Sequence, residues 1–394
     1  MTSLDPFSLL FSDATAADPH PAYSRLHGEC PVARGDFIGN PTVFLSRYDD
    51  VLWALRHPEV FSSADDALSM GQEQPLLPLQ VDPPLHTRYR RLLNPRFVPR
   101  EVETLEPAVR ALVKELVDAV VDEGACDFHR DIATPLPSTI FLRLLGLPLE
   151  DLPQFLAWRD ATIRPDVAPG DFEAALAARA EAGHAIHDYF VGAIAEARRR
   201  PADDDALLPY LVRAEIDGTP LTDRELLGIC HLLLLGGLDT VTASLDCVIA
   251  HLCAHPAQRD VLVAEPERWP AAIEELLRHQ TPVQIVPRLL TQDFELGGVS
   301  MHAGDKATLV IGAANIDPEA WPEAGDVDLD RDAARHLGFG GGHHLCLGAH
   351  LARLEMRVAL EEWHARVPTY RLADDAALRF SPGIRQVEAL PLVW

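Results

Sequence analysis

The chain has 394 residues, of which 47% are hydrophobic, enough for a sizeable core and too many for a disordered chain. Its 34 basic and 60 acidic residues give a net charge of −26, a balance that repels nucleic acid and anionic membranes. The six cysteines form no C-x-x-C pair and no disulfide-scaffold spacing, so a reducing, cytoplasmic setting is the simplest.

The N-terminus, MTSLDPFSLL, has no basic stretch followed by a long apolar run, so no signal peptide is expected. Residues 41–46 (PTVFLS) read as a short strand. In 102–124 the apolar residues recur at i, i+3 and i+4 up to Gly124, which predicts one amphipathic helix. Residues 173–200 predict a second. A third opens at Thr222, where Glu225 completes a T-x-x-E capping box, and is expected to continue to about His255, before Pro256. At ~1.5 Å per residue it would span roughly 48 Å, and it is apolar nearly all round, as a buried central helix is. Its run LLGICHLLLLGGL is interrupted by His231 and soon meets Asp239, short of the ~18 apolar residues of a membrane span. Strand signals return in 288–312 and 387–394. The class is therefore mainly α with a minor β region, roughly 30–60, 288–312 and 375–394. No repeat or linker is visible, so a single domain over 1–394 is expected.

The segment LGFGGGHHLCLGAHLAR, 337–353, carries the chemistry. Gly340, Gly341 and Gly342 permit positive φ and let backbone N–H groups turn inward. Cys346 then stands at the start of an amphipathic helix, where the dipole favours a thiolate. Three readings follow: a small core cysteine, a zinc site of His343, His344, Cys346 and His350, or a single axial thiolate to haem iron. The adjacent histidines tend to point apart and no H-x-x-x-H spacing supports zinc. A haem needs only one protein ligand.

The stretch FGGGHHLCLG, 339–348, resembles the haem-binding signature of the cytochrome P-450 superfamily, F-G-x-G-x-H/R-x-C-x-G. With EALPLVW at the C-terminus and LLLLGGLDTV, it is similar to the bacterial soluble type represented by camphor hydroxylase. The resemblance implies the cytochrome P-450 fold, a long central helix over haem b, Cys346 as the axial ligand, and Phe339, Gly340 and Gly348 in the haem loop. Within GGLDT, 236–240, the two glycines cost about 1 kcal/mol each mid-helix and Asp239 needs a partner. Close helix packing would explain them. By resemblance Thr240 hydrogen-bonds dioxygen and Asp239 relays protons. His86, Arg90, Arg288 and His344 would hold the haem propionates. Glu275 and Arg278, a weak E-x-x-R spacing in themselves, would form a buried brace with Arg331.

Five arginines lie between Arg88 and Arg100 in an otherwise acidic chain. They are either a solvated helix face or, beyond the propionate partner Arg90, a docking patch for an acidic iron-sulfur ferredoxin, formed by Arg88, Arg91 and Arg96. The resemblance places Leu76, Leu77, Leu79, Leu232, Leu235, Gly236, Val283, Ile285, Val286 and Ile384 around an apolar substrate, with 160–172 in a lid. No C-x-x-C-H occurs, which argues against covalent haem. No G-x-G-x-x-G follows a strand, so electrons would come from a separate ferredoxin and its reductase. The expected protein is a cytoplasmic monomer, binding neither nucleic acid nor membrane, that hydroxylates a small-to-medium apolar molecule (terpenoid, steroid, fatty acid or aromatic) with O2. A peroxide-driven peroxygenase and a non-catalytic haem sensor are the alternatives.

Overall fold

The computed structural model describes residues 5–37, 40–64, 70–168, 171–201 and 205–394. The chain, expected as one domain, groups into two compact units: Met1–Ser62 with Val102–Leu136 and Thr240–Trp394, and Ser63–Glu101 with Pro137–Asp239.

The first unit holds a five-stranded sheet in the spatial order Val32–Phe37, Asn40–Leu45, Lys306–Leu309, Val286–Leu290, Phe61–Ser62. Lys306–Leu309 runs parallel to Asn40–Leu45, and the other pairs are antiparallel. Val43, Phe44, Leu45, Ala307 and Leu309 are all buried in one core with Phe61, Leu290 and Trp321. At the end of Asn40–Leu45 this follows from the continuous apolar run Val43-Phe44-Leu45, while in Lys306–Leu309 Thr308 is buried between Ala307 and Leu309. Helix Ala349–Arg366 packs against Glu106–Asp118. Arg110 ties the two through Glu106 (2.7 Å), Glu361 (2.8 Å) and Glu362 (2.5 Å), and Arg357 returns to Glu106 at 2.6 Å. A network of this kind is worth more than isolated surface pairs. It steadies the helix that follows Cys346.

The second unit is helical: Leu85–Leu93, Leu152–Ile163, Phe172–Ala197 and Asp223–Leu238, with a small hairpin Glu215–Ile216 and Thr219–Pro220. Two glycines are required by close approach. A Cβ on Gly183 would stand 2.0 Å from the Gly71 carbonyl oxygen, and one on Gly228 would stand 2.4 Å from that of Pro75. The chain before His86 thereby lies directly on two helices.

Three expectations need correction. The 102–124 helix is broken into Pro99–Glu103 and Glu106–Asp118, because Pro107 lacks an N–H to donate and starts a new first turn. The long central helix is divided into Asp223–Leu238 and Thr240–Ala254, with Asp239 at φ −120° between them. The capping box at Thr222 and Glu225 is present. Taken whole, Asp223–Ala254 is long and apolar enough by composition to cross a bilayer, contrary to the reading of its first apolar run. Its most apolar window is 72% buried inside the protein, as in a core helix.

Candidate haem-thiolate site

In the first unit, Leu337 to Gly348 forms a tight loop against the end of helix Tyr48–Arg56. The Cys346 N–H donates to the Phe339 carbonyl at 2.9 Å, and the Gly340 N–H to that of Leu337 at 2.8 Å. Gly340 has φ +73° and Gly342 φ +63°, and a Cβ on Gly342 would meet the Leu55 carbonyl oxygen at 2.3 Å. Helix Ala349–Arg366 follows, with Gly348 as its N-cap residue. The loop presents Cys346 and its apolar neighbour Leu345, which is 48% exposed, on its outer side.

Three residues behind this loop escaped the sequence analysis. The Arg353 guanidinium lies 4.3 Å over the Phe339 ring and makes two bonds of 2.7 Å to the Glu274 carboxylate. His336 approaches the same carboxylate at 3.2 Å and lies 5.6 Å from Phe339, ring centre to ring centre. Burial opposes the Glu274 charge, but the bonds from Arg353 and His336 outweigh it and hold the acid down to about 2. The signal was available: Glu274 immediately precedes Glu275 in the motif already singled out.

Glu275 and Arg278 are buried and joined by bonds of 2.7 and 2.8 Å. Arg331 reaches Glu275 at 3.2 Å, and the Asp328 N–H donates to it at 2.9 Å. Arg278 also donates to the carbonyls of Asn315 and Ala324, each at 2.8 Å, and of Asp326 at 2.9 Å. Asn315 in turn accepts from the Leu337 N–H at 2.7 Å. The cluster therefore reaches the cysteine loop through Asn315, whose carbonyl takes Arg278 and whose side-chain oxygen takes the Leu337 N–H, an arrangement of braces rather than reacting groups.

Elsewhere in this unit, Arg288 is buried on strand Val286–Leu290 and donates to the Pro287 carbonyl at 2.7 Å. Val283 and Ile384 form an isolated antiparallel bridge, and both are half-buried, as are Ile285, Val286 and His344. Thr240 opens helix Thr240–Ala254, and its carbonyl accepts from the Ser244 hydroxyl at 2.7 Å.

In the second unit, His86 is buried on helix Leu85–Leu93, and Arg90 donates to Asn94 at 2.8 Å. Leu76 and Leu77 are buried and Leu79 half-buried; the Leu77 N–H donates to the Gly228 carbonyl at 3.3 Å. On the Asp223–Leu238 helix, Leu235 is buried, Leu232 half-buried and Gly236 exposed. Asp239 follows as its C-cap, fully buried. Its partner, left open by the sequence, is Arg164, which bonds both carboxylate oxygens at 2.5 and 3.0 Å, with Arg159 at 3.8 Å. Burial works against the Arg164 charge, but the Asp239 bond raises its pKa above the ordinary arginine value. Arg164 belongs to the 160–172 stretch, of which Pro169 and Gly170 lie outside the described residues.

The basic patch is partly neutralised. Arg88 pairs with Asp217 at 2.5 Å and Arg96 with Asp205 at 2.7 Å, while Arg91 is exposed. Composition could not reveal this, because both aspartates are remote in sequence.

Among the described residues no group of three or more His, Cys, Asp or Glu side chains is placed to hold a metal ion. The cysteine loop therefore does not provide a zinc set. An outward-facing thiol on a glycine-shaped turn, with an apolar neighbour, suits a flat apolar macrocycle that takes one axial sulfur.

The site and fold thus define a haem-thiolate protein, and the comparisons agree. The sequence model of the family described as cytochrome P450 matches residues 7–268 and 269–363. The chain is 36% identical over 381 residues to steroid C26-monooxygenase of Mycobacterium tuberculosis, covering 95% of this chain and 93% of that protein. It is 34% identical over 394 residues to vitamin D(3) 25-hydroxylase of Pseudonocardia autotrophica, covering 97% and 95%. The crystal structure of CYP109E1 from Bacillus megaterium in complex with testosterone superposes with a TM-score of 0.90 at 29% identity, covering 97% of this chain and 99% of that one. The chain belongs to the cytochrome P450 family. It is a haem-thiolate monooxygenase that carries haem b on the Cys346 thiolate.

Proposed function

We propose that this monooxygenase hydroxylates an apolar substrate of steroid size, with electrons from a separate acidic iron-sulfur ferredoxin and its reductase. The observation that carries the reading is the aliphatic character of the residues assigned to the substrate. Val283, Ile285, Val286 and Ile384 are half-buried, with Val283 and Ile384 in one antiparallel bridge, and Leu76, Leu77, Leu79, Leu232 and Leu235 are buried or half-buried within their own unit. Relatives named for steroid and vitamin D(3) hydroxylation support that substrate class. The cytoplasm is the matching location and a monomer the matching state.

When bound, haem supplies the activation of dioxygen, one atom of which enters a C–H bond while the other leaves as water. The chain's own residues do the rest. His86, Arg90, Arg288 and His344 would hold haem propionates, guanidinium groups being matched to carboxylates. The Thr240 hydroxyl would hold a proton for the dioxygen chemistry that haem supplies. Asp239 passes protons to it, and Arg164 sets when the carboxylate is free to do so. Leucine and isoleucine side chains exclude water, so protons arrive along the relay rather than at random. A peroxygenase or a haem sensor has no use for such an acid–hydroxyl pair.

The test is a titration of the ferric protein with testosterone, corticosterone and a long-chain fatty acid, read by the spin-state change in the haem absorbance. The steroids are expected to bind more tightly than the fatty acid. A response to the fatty acid alone overturns the steroid reading. A reduced, CO-treated sample without the thiolate band overturns the Cys346 ligation.

A further inference from the structure

Arg385 is buried, 6% exposed, and none of its hydrogen-bond partners among the described residues is a carboxylate. Its Nε donates to the Ala16 carbonyl at 2.9 Å, and Nη2 to that of Ala17 at 2.9 Å. Its Nη1 donates to the Gln280 side-chain oxygen at 2.8 Å and faces the Cys247 sulfur at 3.4 Å. The guanidinium also lies 4.0 Å over the Phe380 ring. A buried cation held by neutral groups alone carries a desolvation cost that an aliphatic side chain would avoid. Its value therefore lies in geometry, since five fixed donors can pin several segments at once.

The segments it pins meet at Ile384. The Arg385 N–H donates to the Pro282 carbonyl at 2.8 Å, and the Gln284 N–H to that of Gly383 at 3.0 Å. These two bonds flank the Val283–Ile384 bridge. The Arg385 carbonyl accepts from the Cys247 thiol at 3.2 Å. Cys247 lies seven residues, about two turns, along the helix that opens with Thr240. Gln280, at the end of helix Trp269–Gln280, is itself fixed by His251 at 3.2 Å and His279 at 2.9 Å.

We infer that Arg385 is a positioning residue for substrate selection: it holds the Val283–Ile384 wall in register with the helix that carries Thr240. The inference rests on the proposed reading that Val283 and Ile384 line the pocket. A wall displaced by a fraction of an ångström presents a different carbon to the oxidant. Arg385 touches neither substrate nor haem in this role.

The test uses ferric holoenzyme and two azoles that ligate haem iron. Imidazole offers only its ligating ring, whereas phenylimidazole carries a second ring that the pocket lining has to accommodate. Arg385→Gln should weaken phenylimidazole about tenfold and leave imidazole unchanged, with Arg385→Lys in between. Should Arg385→Gln fail to fold, Gln280→Leu removes a single acceptor and should shift phenylimidazole in the same direction by about threefold. Folded variants that bind both azoles as the parent does, or that lose both equally, overturn the inference. Ile384→Ala separates it from the pocket reading. If that variant alters phenylimidazole binding and the Arg385 and Gln280 variants do not, the wall stands and Arg385 is only structural. If Ile384→Ala changes nothing, the lining is wrong and the inference falls with it.

Discussion

Arg164 holds both carboxylate oxygens of Asp239, at 2.5 and 3.0 Å, and Asp239 is fully buried. A carboxylate clamped this way cannot rotate without breaking a charged bond, so the proposed proton relay would require release from Arg164. Loss of Arg164 leaves a buried charge whose remaining ion-pair partner among the described residues is Arg159 at 3.8 Å. Arg164→Ala should therefore destabilise the protein by about 3 kcal/mol. Asp239→Asn should slow turnover about a hundredfold, as removal of a proton-relay acid does. In thermal unfolding, the double variant should cost less than the sum of the single ones. Strict additivity would mean that the two side chains are not coupled in solution.

Thr240→Ala should uncouple rather than silence the enzyme. Without the hydroxyl, proton placement fails while electron uptake continues. Reductant consumption should persist as product falls and peroxide rises. A variant that forms product and consumes reductant in the parental ratio would remove Thr240 from proton delivery.

The cysteine loop was legible because its chemistry is local: Phe339, three glycines and Cys346 lie within eight residues. The Glu275–Arg278 pair was legible through the family resemblance, its E-x-x-R spacing being weak in itself. What stayed hidden was set by tertiary contact. Arg164 is 75 residues from Asp239, and no periodicity links them. The break at Asp239 was masked because both helices around it remain apolar, so the pattern continues where the backbone does not. Pro107 marks the start of Glu106–Asp118, but the apolar stripe continues on either side of it. Phe339 was visible, whereas the Arg353 and Glu274 beneath it needed two helices to be brought together.

Gly342 offers a backbone test of the loop. Its φ of +63° disfavours any side chain, and a Cβ would stand 2.3 Å from the rigid Leu55 carbonyl. Gly342→Ala should cost about 2 kcal/mol or more and reduce haem retention. Gly192, in the middle of helix Phe172–Ala197, has open space where its Cβ would be. Gly192→Ala should be neutral or slightly stabilising. Haem content per protein, from absorbance, checks the pair. Equal haem in both would show that the loop tolerates the shift.

His364 should make the protein acid-sensitive. It is fully buried, its Nδ1–H donating to the Leu360 carbonyl at 2.7 Å while Nε2 accepts from the Tyr370 hydroxyl at 3.0 Å. Burial pushes its pKa down from 6.5 to about 4, with the Leu360 bond opposing and Arg259 adding to the fall. The folded state thus binds fewer protons than the unfolded state between these values. Its contribution is complete above about pH 6.5 and is lost as pH falls toward about 4, a gap corresponding to about 3 kcal/mol. His364→Gln should flatten the fall in Tm across that window. A variant curve running parallel to the parent's would exclude His364 as its source.

The structure ranks the arginines for partner docking. On an electrostatic argument, an arginine already facing an aspartate adds little to the long-range field. Arg88 faces Asp217 and Arg96 faces Asp205, but exposed Arg91 has no ion pair among the described residues. Arg91→Glu should therefore raise the apparent KM for an acidic ferredoxin more than Arg88→Glu or Arg96→Glu does. Steering by exposed charge weakens as salt rises, so the gap between the parent and Arg91→Glu should narrow with ionic strength. Substrate binding should be unchanged in all three variants, since none of these arginines is placed at the pocket. Arg90 differs in kind: if it is the proposed propionate partner, its loss should lower haem retention and leave the salt dependence intact. The measurement is ferredoxin affinity against ionic strength for the parent and each charge reversal. Equal effects at the three sites would mean that the Asp217 and Asp205 pairs open on docking. A flat salt dependence would place the docking surface away from this helix.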